Sequence, residues 1–194
     1  MHVNKTQVLC MDIHNFFPSI NINQVFEAFH CVGYTSDVAQ ALAQLCTHNA
    51  ILPQGAPTSP TLANIIFSPI DQQILNAIST KEITYTRYAD DLIFSSSHEL
   101  DFLIPLVSEI ISTNGFEINS NKTHLMKNPY RKMITGLIVT DTVKIPKYYK
   151  RKFNQELFYC EKYGVASHLK NCKTHKKVNF KEYMYGKAYY IVSA

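Results

Sequence analysis

Apolar positions along the 194 residues alternate between short unbroken runs and helical repeats. Residues 8–13 form a near-continuous apolar run, the pattern of a buried strand, with one carboxylate, Asp12, near its end. An acid there is costly to bury unless it is paired or bound to a cation. Phe16-Phe17-Pro18-Ser19 ends the strand, and Ile22, Val25, Phe26 and Phe29 then recur at helical spacing towards Gly33. A second helix is expected over 36–46. Residues 52–60 hold three prolines and a glycine and read as a loop, with Thr58 or Ser59 placed to cap a long helix over 60–78. Two β-rich runs, 82–88 and 92–96, join through Ala89-Asp90-Asp91 as a hairpin that presents adjacent carboxylates.

Beyond the hairpin, residues 99–113 repeat the helical pattern, and 115–118 begin another strand. The segment 131–145 reads as a second hairpin with its turn near Thr140-Asp141. From about residue 148, helical stretches are separated by Gly164 and a Lys/His-rich cluster at 171–178. Strands alternate with helices, yet hairpins are present. The expected class is therefore α+β: an antiparallel sheet of three or four strands with helices on one face, followed by a mostly helical segment.

Charge changes that picture by dividing it. Residues 1–143 carry seven Lys and Arg against twelve Asp and Glu, whereas residues 144–194 carry twelve against three. A mildly acidic body of residues 1–145 thus precedes a basic module, 146–194, whose lysines are interleaved with tyrosines and phenylalanines. Cations mixed with aromatic rings suit phosphates and bases, and a solvated helix face over an aromatic core fits as well. Five cysteines without a C-x-x-C pair point to free thiols in a reducing compartment. No apolar run is long enough for a membrane span, so no membrane partner is expected.

The candidate chemistry lies in Asp12 with Asp90 and Asp91. If the hairpin packs beside the first strand, these carboxylates converge at one edge of the sheet. Their mutual repulsion calls for a divalent cation. Oxygen ligands without His or Cys select Mg²⁺ or Mn²⁺, and two such ions suit phosphoryl transfer. A bare Asp-Asp dipeptide is more often an ordinary solvated turn. A rival constellation, Cys160, His168, Cys172 and His175, has a spacing that matches no established zinc finger.

Context favours the first reading. Asp12-Ile13-x-x-Phe16-Phe17-Pro18-Ser19-Ile20, Leu52-Pro53-Gln54-Gly55-Ala56-Pro57-Thr58-Ser59-Pro60 and Tyr88-Ala89-Asp90-Asp91, in that order, resemble the motifs of reverse transcriptases, specifically the bacterial retron class. Gly115-Phe116-Glu117-Ile118-Asn119 with Lys122-Thr123 is similar to the family's next motif. Ile134-Thr135-Gly136 resembles the retron Val-Thr-Gly triplet, and Tyr185-Gly186-Lys187-x-x-Tyr190 the end of a retron thumb. The resemblance implies a palm over 1–145 and a thumb over 146–194.

It further implies roles. Asp12, Asp90 and Asp91 would be metal carboxylates, with Ile13 lending its carbonyl to two Mg²⁺ or Mn²⁺ ions. Phe17 would pack under the incoming sugar and favour dNTPs. Gln54 and Gly55 would approach the nucleotide, glycine because the backbone comes close. Lys122 would donate a proton or charge to the departing pyrophosphate. Thr135 and Gly136 would touch structured template–primer RNA. Lys147, Lys150, Arg151, Lys152, Lys170, Lys173, Lys176 and Lys177 would grip the phosphates of an RNA–DNA hybrid.

The resemblance implies RNA-directed DNA polymerisation as the function, in the bacterial cytoplasm and within antiphage defence. An effector protein is a further expected partner.

Only eleven residues precede Asp12, where the class has a fingers region, and His2-Val3 resembles the tail of the retron Asn-Ala-x-x-His element. The isolated chain is therefore expected to polymerise weakly or not at all without a fingers segment. The alternatives are a catalytically silent RNA-binding subunit or fragment of the same fold and a group II intron maturase-like protein. An RNA-directed RNA polymerase is disfavoured, because Tyr-Ala-Asp-Asp stands where Gly-Asp-Asp is usual and Phe17 would hinder an rNTP.

Overall fold

The computed structural model describes residues 1–127, 132–171 and 179–193. The chain divides into two compact units, Met1–Pro129 and Tyr130–Ala194. In the first, β1 (Gln7–Asp12) is followed by α1 (Ile22–Val32), α2 (Ser36–Cys46) and α3 (Ser59–Ile78). The β2 (Thr84–Tyr88) and β3 (Asp91–Ser96) hairpin, α4 (Leu103–Thr113) and β4 (His124–Lys127) complete it. The four strands form one antiparallel sheet in the order β2-β3-β1-β4. The class is α+β, as the hydrophobic pattern implies.

Strand periodicity explains how the sheet is used. Leu9, Met11 and Ile13 of the β1 segment, with Leu92 and Phe94 of β3, join the core built from α1, α3 and α4. Phe16, Phe67 and Phe116 meet within that core, with ring centroids 5.3–6.0 Å apart. Alternate residues point the other way. Val8, Cys10 and Asp12 therefore share the opposite face with Asp91, Ile93 and Ser95, their register partners being read directly across the ladder. His2 is buried too: its ring bonds the hydroxyls of Ser95 (2.7 Å) and Thr86 (2.8 Å), tying the chain start to β2 and β3.

Local chemistry sets the helix ends. Asn21 caps α1, and a reciprocal bond from Gln24 completes a capping box. Neither Thr58 nor Ser59 caps α3 through its side chain. Ser59 is instead fully buried and donates to the Pro53 carbonyl at 2.7 Å, closing the loop that carries Gln54 and Gly55. The fourth helix starts at Leu103, later than the apolar spacing suggests. Pro105 lacks an N–H and fits only the first turn of a helix.

Two strand expectations are corrected. Residues 115–118 form no strand. Gly115 has a positive φ of 81°, and Ile118 makes only a bridge to Ile13 before a 3-10 turn at Ser120–Lys122. The fourth strand follows at β4. The 131–145 segment is a three-stranded sheet rather than one hairpin, made of β5 (Lys132–Ile134), β6 (Leu137–Val139) and β7 (Val143–Lys144). Its second turn lies where expected. The first is the two-residue Thr135-Gly136 link, whose short flanks hide it from pattern reading.

That sheet lies in the second compact unit, with α5 (Lys147–Tyr163), α6 (Val165–Asn171) and α7 (Phe180–Ser193). Lys187 and Glu156 join α7 to α5 at 2.7 Å, and Tyr149 meets Tyr190 edge-on at 5.2 Å. Burial works to lower the Lys187 pKa. The bonds to Glu156 and Tyr183 more than offset that and leave it raised.

Thr135 and Gly136 have φ of 44° and 83°, both positive, as the tight hairpin turn of this handedness requires. A β-branched residue is strained there, whereas Asn tolerates it. Thr135→Asn is expected to stabilise the fold by about 0.5–1 kcal/mol in urea unfolding. A loss of stability would show that the Thr135 side chain holds the turn.

Candidate active site

The site is assembled by the ladder between β1 and β3. Asp12, the last residue of β1, is the register partner of Asp91, the first residue of β3. Asp90 is held on the intervening turn by its main chain, whose carbonyl accepts the Ile13 N–H at 3.0 Å. On the other side, the Asp12 carbonyl accepts the Asn119 N–H at 2.8 Å. The 3-10 turn that follows brings Lys122 back, and its Nζ lies 2.9 Å from Asp12 Oδ2. Asp12 is buried, with 10% of its side chain exposed, while Lys122 is largely solvated.

Burial and like charge act together on these groups. The Asp91 carboxyl is pushed above the usual carboxylate range, first by desolvation and then by the negative charges of Asp90 and Asp12, with Lys122 pulling the other way. Lys122 is itself raised, by its hydrogen bond to Asp12 and the surrounding carboxylates. Desolvation, then the nearby Asp91, lifts the Cys10 thiol.

A cavity of about 340 Å³ opens beside these groups. Asp12, Ile13, Phe17, Gln54, Asp90 and Lys122 all line it, so six of the eight residues expected to hold metal or nucleotide or to act in catalysis gather around one cavity. Asp91 is not in the lining but stands directly across from Asp12. Gly55 is next to Gln54 and adopts φ 89°; a Cβ there would meet no atom within 4 Å. Conformation, not crowding by protein, is what calls for glycine at this turn. His14, Asn15 and Asn119 also line the cavity; the sequence assigns none of them a role, although Asn119 closes the 115–119 motif. The first two occupy the x-x positions of the Asp12 motif, where residue type gives no signal.

The donor set is all carboxylate and carbonyl oxygen, crowded by its own charge, which is chemistry that fits a hard divalent cation. Among the described residues, no three His, Cys, Asp or Glu side chains are gathered closely enough to hold an ion as they stand. The Lys122 ammonium fills that role of counter-charge for Asp12.

In the second unit Lys147, Lys150, Arg151, Lys152 and Lys170 are exposed on α5 and α6. Tyr159, Tyr163, Ser167, His168 and Asn171 line a cleft of about 370 Å³ between those helices, with the rings of Tyr159 and His168 stacked at 18°. Lys173, Lys176, Lys177, Cys172 and His175 lie outside the described residues. Among the described residues no helix is long and apolar enough to cross a membrane.

Comparison with known proteins gives concordant matches. The family model described as "Reverse transcriptase (RNA-dependent DNA polymerase)" matches residues 2–178. The retron Ec86 reverse transcriptase of Escherichia coli is 33% identical over 178 residues, covering 87% of this chain and 54% of that protein. The retron Mx65 reverse transcriptase of Myxococcus xanthus is 31% identical over 166 residues, covering 75% of this chain and 39% of that protein. The retron Se72 reverse transcriptase of Salmonella heidelberg is 30% identical over 175 residues, covering 85% and 46% respectively. The chain thus spans about half the length of the curated relatives it matches. Apo telomerase from Candida tropicalis, truncated from its C-terminal domain, superposes with a TM-score of 0.55 at 16% identity, covering 72% of this chain and 35% of that one. That likeness supports the fold alone.

The crowded carboxylates give a sign-definite expectation. A carboxyl whose folded pKa exceeds its unfolded one binds more protons in the folded state, so stability falls as pH rises from the unfolded value through the folded one. Removing the Asp91 charge should then stabilise the chain. Without added divalent ions, Asp91→Asn is expected to raise the urea midpoint at pH 7, and the gain should vanish at a pH below the carboxylate range. An unchanged or lower midpoint at pH 7 would contradict the cost that burial and the neighbouring carboxylates place on the Asp91 charge.

Proposed function

The chain belongs to the reverse transcriptase family, with retron enzymes as its relatives, and on that premise we propose that it carries out RNA-directed DNA synthesis of the retron type. The observation that supports this most is Asp12 facing Asp91 across hydrogen-bonded strands, with Asp90 on the adjoining turn and a cavity beside them. Asp12, Asp90, Asp91 and the Ile13 carbonyl would hold two Mg²⁺ or Mn²⁺ ions. When bound, such ions activate the attacking hydroxyl and neutralise the leaving pyrophosphate.

The chain's own residues do the rest. Phe17, half-buried against Phe16, walls the cavity, and its ring excludes a 2′-hydroxyl, which selects dNTPs over rNTPs. Gln54 and the Gly55 turn meet the sugar and base of the nucleotide. Lys122 leaves Asp12 as the substrate arrives and carries its charge, and a proton, to the departing pyrophosphate.

Functionally, residues 1–145 act as palm and 146–194 as thumb. The exposed Lys147, Lys150, Arg151, Lys152 and Lys170, with Lys173, Lys176 and Lys177, grip the phosphates of the template–primer RNA and the growing RNA–DNA hybrid. Thr135 and Gly136 touch the structured RNA from the tip of their hairpin. A bacterial cytoplasmic setting, an effector protein as partner and a part in phage defence come with the retron reading.

A second reading, a catalytically silent RNA-binding subunit, draws on the ion pair that occupies Asp12. Primer extension with Mg²⁺ and dNTPs on an RNA template separates the two. With a relative's fingers segment supplied, the proposal expects extension that Asp90→Asn or Asp91→Asn lowers by about a thousandfold or more, and Phe17→Val should admit rNTPs. Absence of extension both alone and with a relative's fingers segment supplied, alongside RNA binding that neither aspartate substitution alters, would favour the silent subunit.

A further inference from the structure

The turn that carries Asp90 is held from a second side, by groups the catalytic reading does not use. Arg87, near the end of β2, sends Nε and Nη2 to both carboxylate oxygens of Asp71 on α3, at 2.7–3.2 Å. Its Nη1 donates to Asn64 Oδ1 at 2.9 Å and to the Ala89 carbonyl at 3.2 Å. The Tyr85 hydroxyl donates to Asp71 at 2.7 Å. The guanidinium lies 4.6 Å from the centroid of the fully buried Phe67 ring, and only 8% of the Arg87 side chain is exposed.

A salt bridge that served stability alone would need only Asp71. The bond to Ala89 is different, because that carbonyl belongs to the peptide leading into Asp90. Ala89 has φ 52°, a left-handed conformation that glycine normally supplies at the first position of such a turn. Strain of this kind persists only where the surroundings over-determine it. Here the Ile13 N–H fixes the Asp90 carbonyl and the guanidinium fixes the Ala89 carbonyl, so both peptides of the turn are clamped.

We propose that Arg87, aimed by Asp71 and Asn64 of α3, is a positioning residue that locks the Ala89–Asp90 peptide and so presents the Asp90 carboxylate for divalent-cation binding. The proposal rests on the reading of Asp90 as a metal carboxylate. Arg87 touches neither cation nor substrate and acts through the Ala89 carbonyl. Lysine cannot replace it, since a single ammonium does not reproduce the fork that bonds Asp71 and Ala89 together.

The test is calorimetric titration of Mn²⁺ into the 194-residue chain, with the Asp90→Asn/Asp91→Asn double variant as baseline. Arg87→Met and Arg87→Lys are each expected to weaken Mn²⁺ binding by about 10–100-fold, the range for residues that orient ligands. Asp71→Asn, which keeps the shape and removes the charge that aims the guanidinium, should weaken it in the same direction and serves if Arg87→Met fails to fold. Adding Ala89→Gly to Arg87→Met should recover much of the loss, because glycine adopts the turn conformation unaided; a role confined to global stability would not be repaired this way. Wild-type affinity in Arg87→Met, or in Asp71→Asn if the former is unfolded, overturns the proposal. So does a loss that Ala89→Gly leaves untouched. Wild-type binding no better than the double variant overturns the cation reading itself, and this proposal with it.

Discussion

Everything at the site depends on the register between β1 and β3. Because side chains alternate along a strand, the pairing that buries Leu9, Met11 and Leu92 against the helices also turns Asp12 and Asp91 to the other face, opposite one another. A slip of β1 by one residue would turn Asp12 towards the core and carry Leu9 and Met11 out of it. The core thus enforces the position of the carboxylates, and the phenylalanine cluster under the sheet is as much a part of the site as the acids are.

The opposite face is arranged at a cost. Three carboxylates crowd one end of the sheet, Asp91 is held above its ordinary ionisation range, and Ala89 is kept in a conformation unfavourable for any residue with a Cβ. Two cations offset this from different directions. Lys122 supplies a charge from a solvated side chain, whereas Arg87 is buried and fixed by three hydrogen-bond partners, Asp71, Asn64 and the turn itself. Destabilisation concentrated where function is proposed, and compensated by a well-packed core elsewhere, is a recurrent pattern in active sites.

Much of this was legible in the sequence. The apolar run of β1 and the helical repeats of α1, α2 and α3 identify themselves because burial of one face imposes a period, and the Asp12, Gln54 and Asp90 motifs stand at the ends of those elements. What escaped had no periodic signature. Residues 115–118 have strand composition, but a positive φ at Gly115 and a 3-10 turn before Lys122 confine pairing to one bridge at Ile118. The Thr135-Gly136 turn was hidden because strands of three residues are too short to show alternation. Thr58 and Ser59 stand where a cap is expected, yet the Ser59 hydroxyl finds the Pro53 carbonyl, a tertiary choice that local propensity does not encode. The Arg87–Asp71 pair joins residues sixteen apart on different elements, and only the packing of α3 under β2 brings them together.

The central claim is that Asp12, Asp90 and Asp91 converge on divalent cations once Lys122 gives way. Anomalous diffraction from crystals of the chain grown with Mn²⁺ and a nucleotide addresses it most directly. The account predicts manganese at about 2.1 Å from carboxylate oxygens of Asp12 and of the Asp90-Asp91 pair, a separation normal for such hard ions, with the Lys122 ammonium displaced from Asp12. Manganese bound elsewhere, with Lys122 still paired to Asp12, would contradict it.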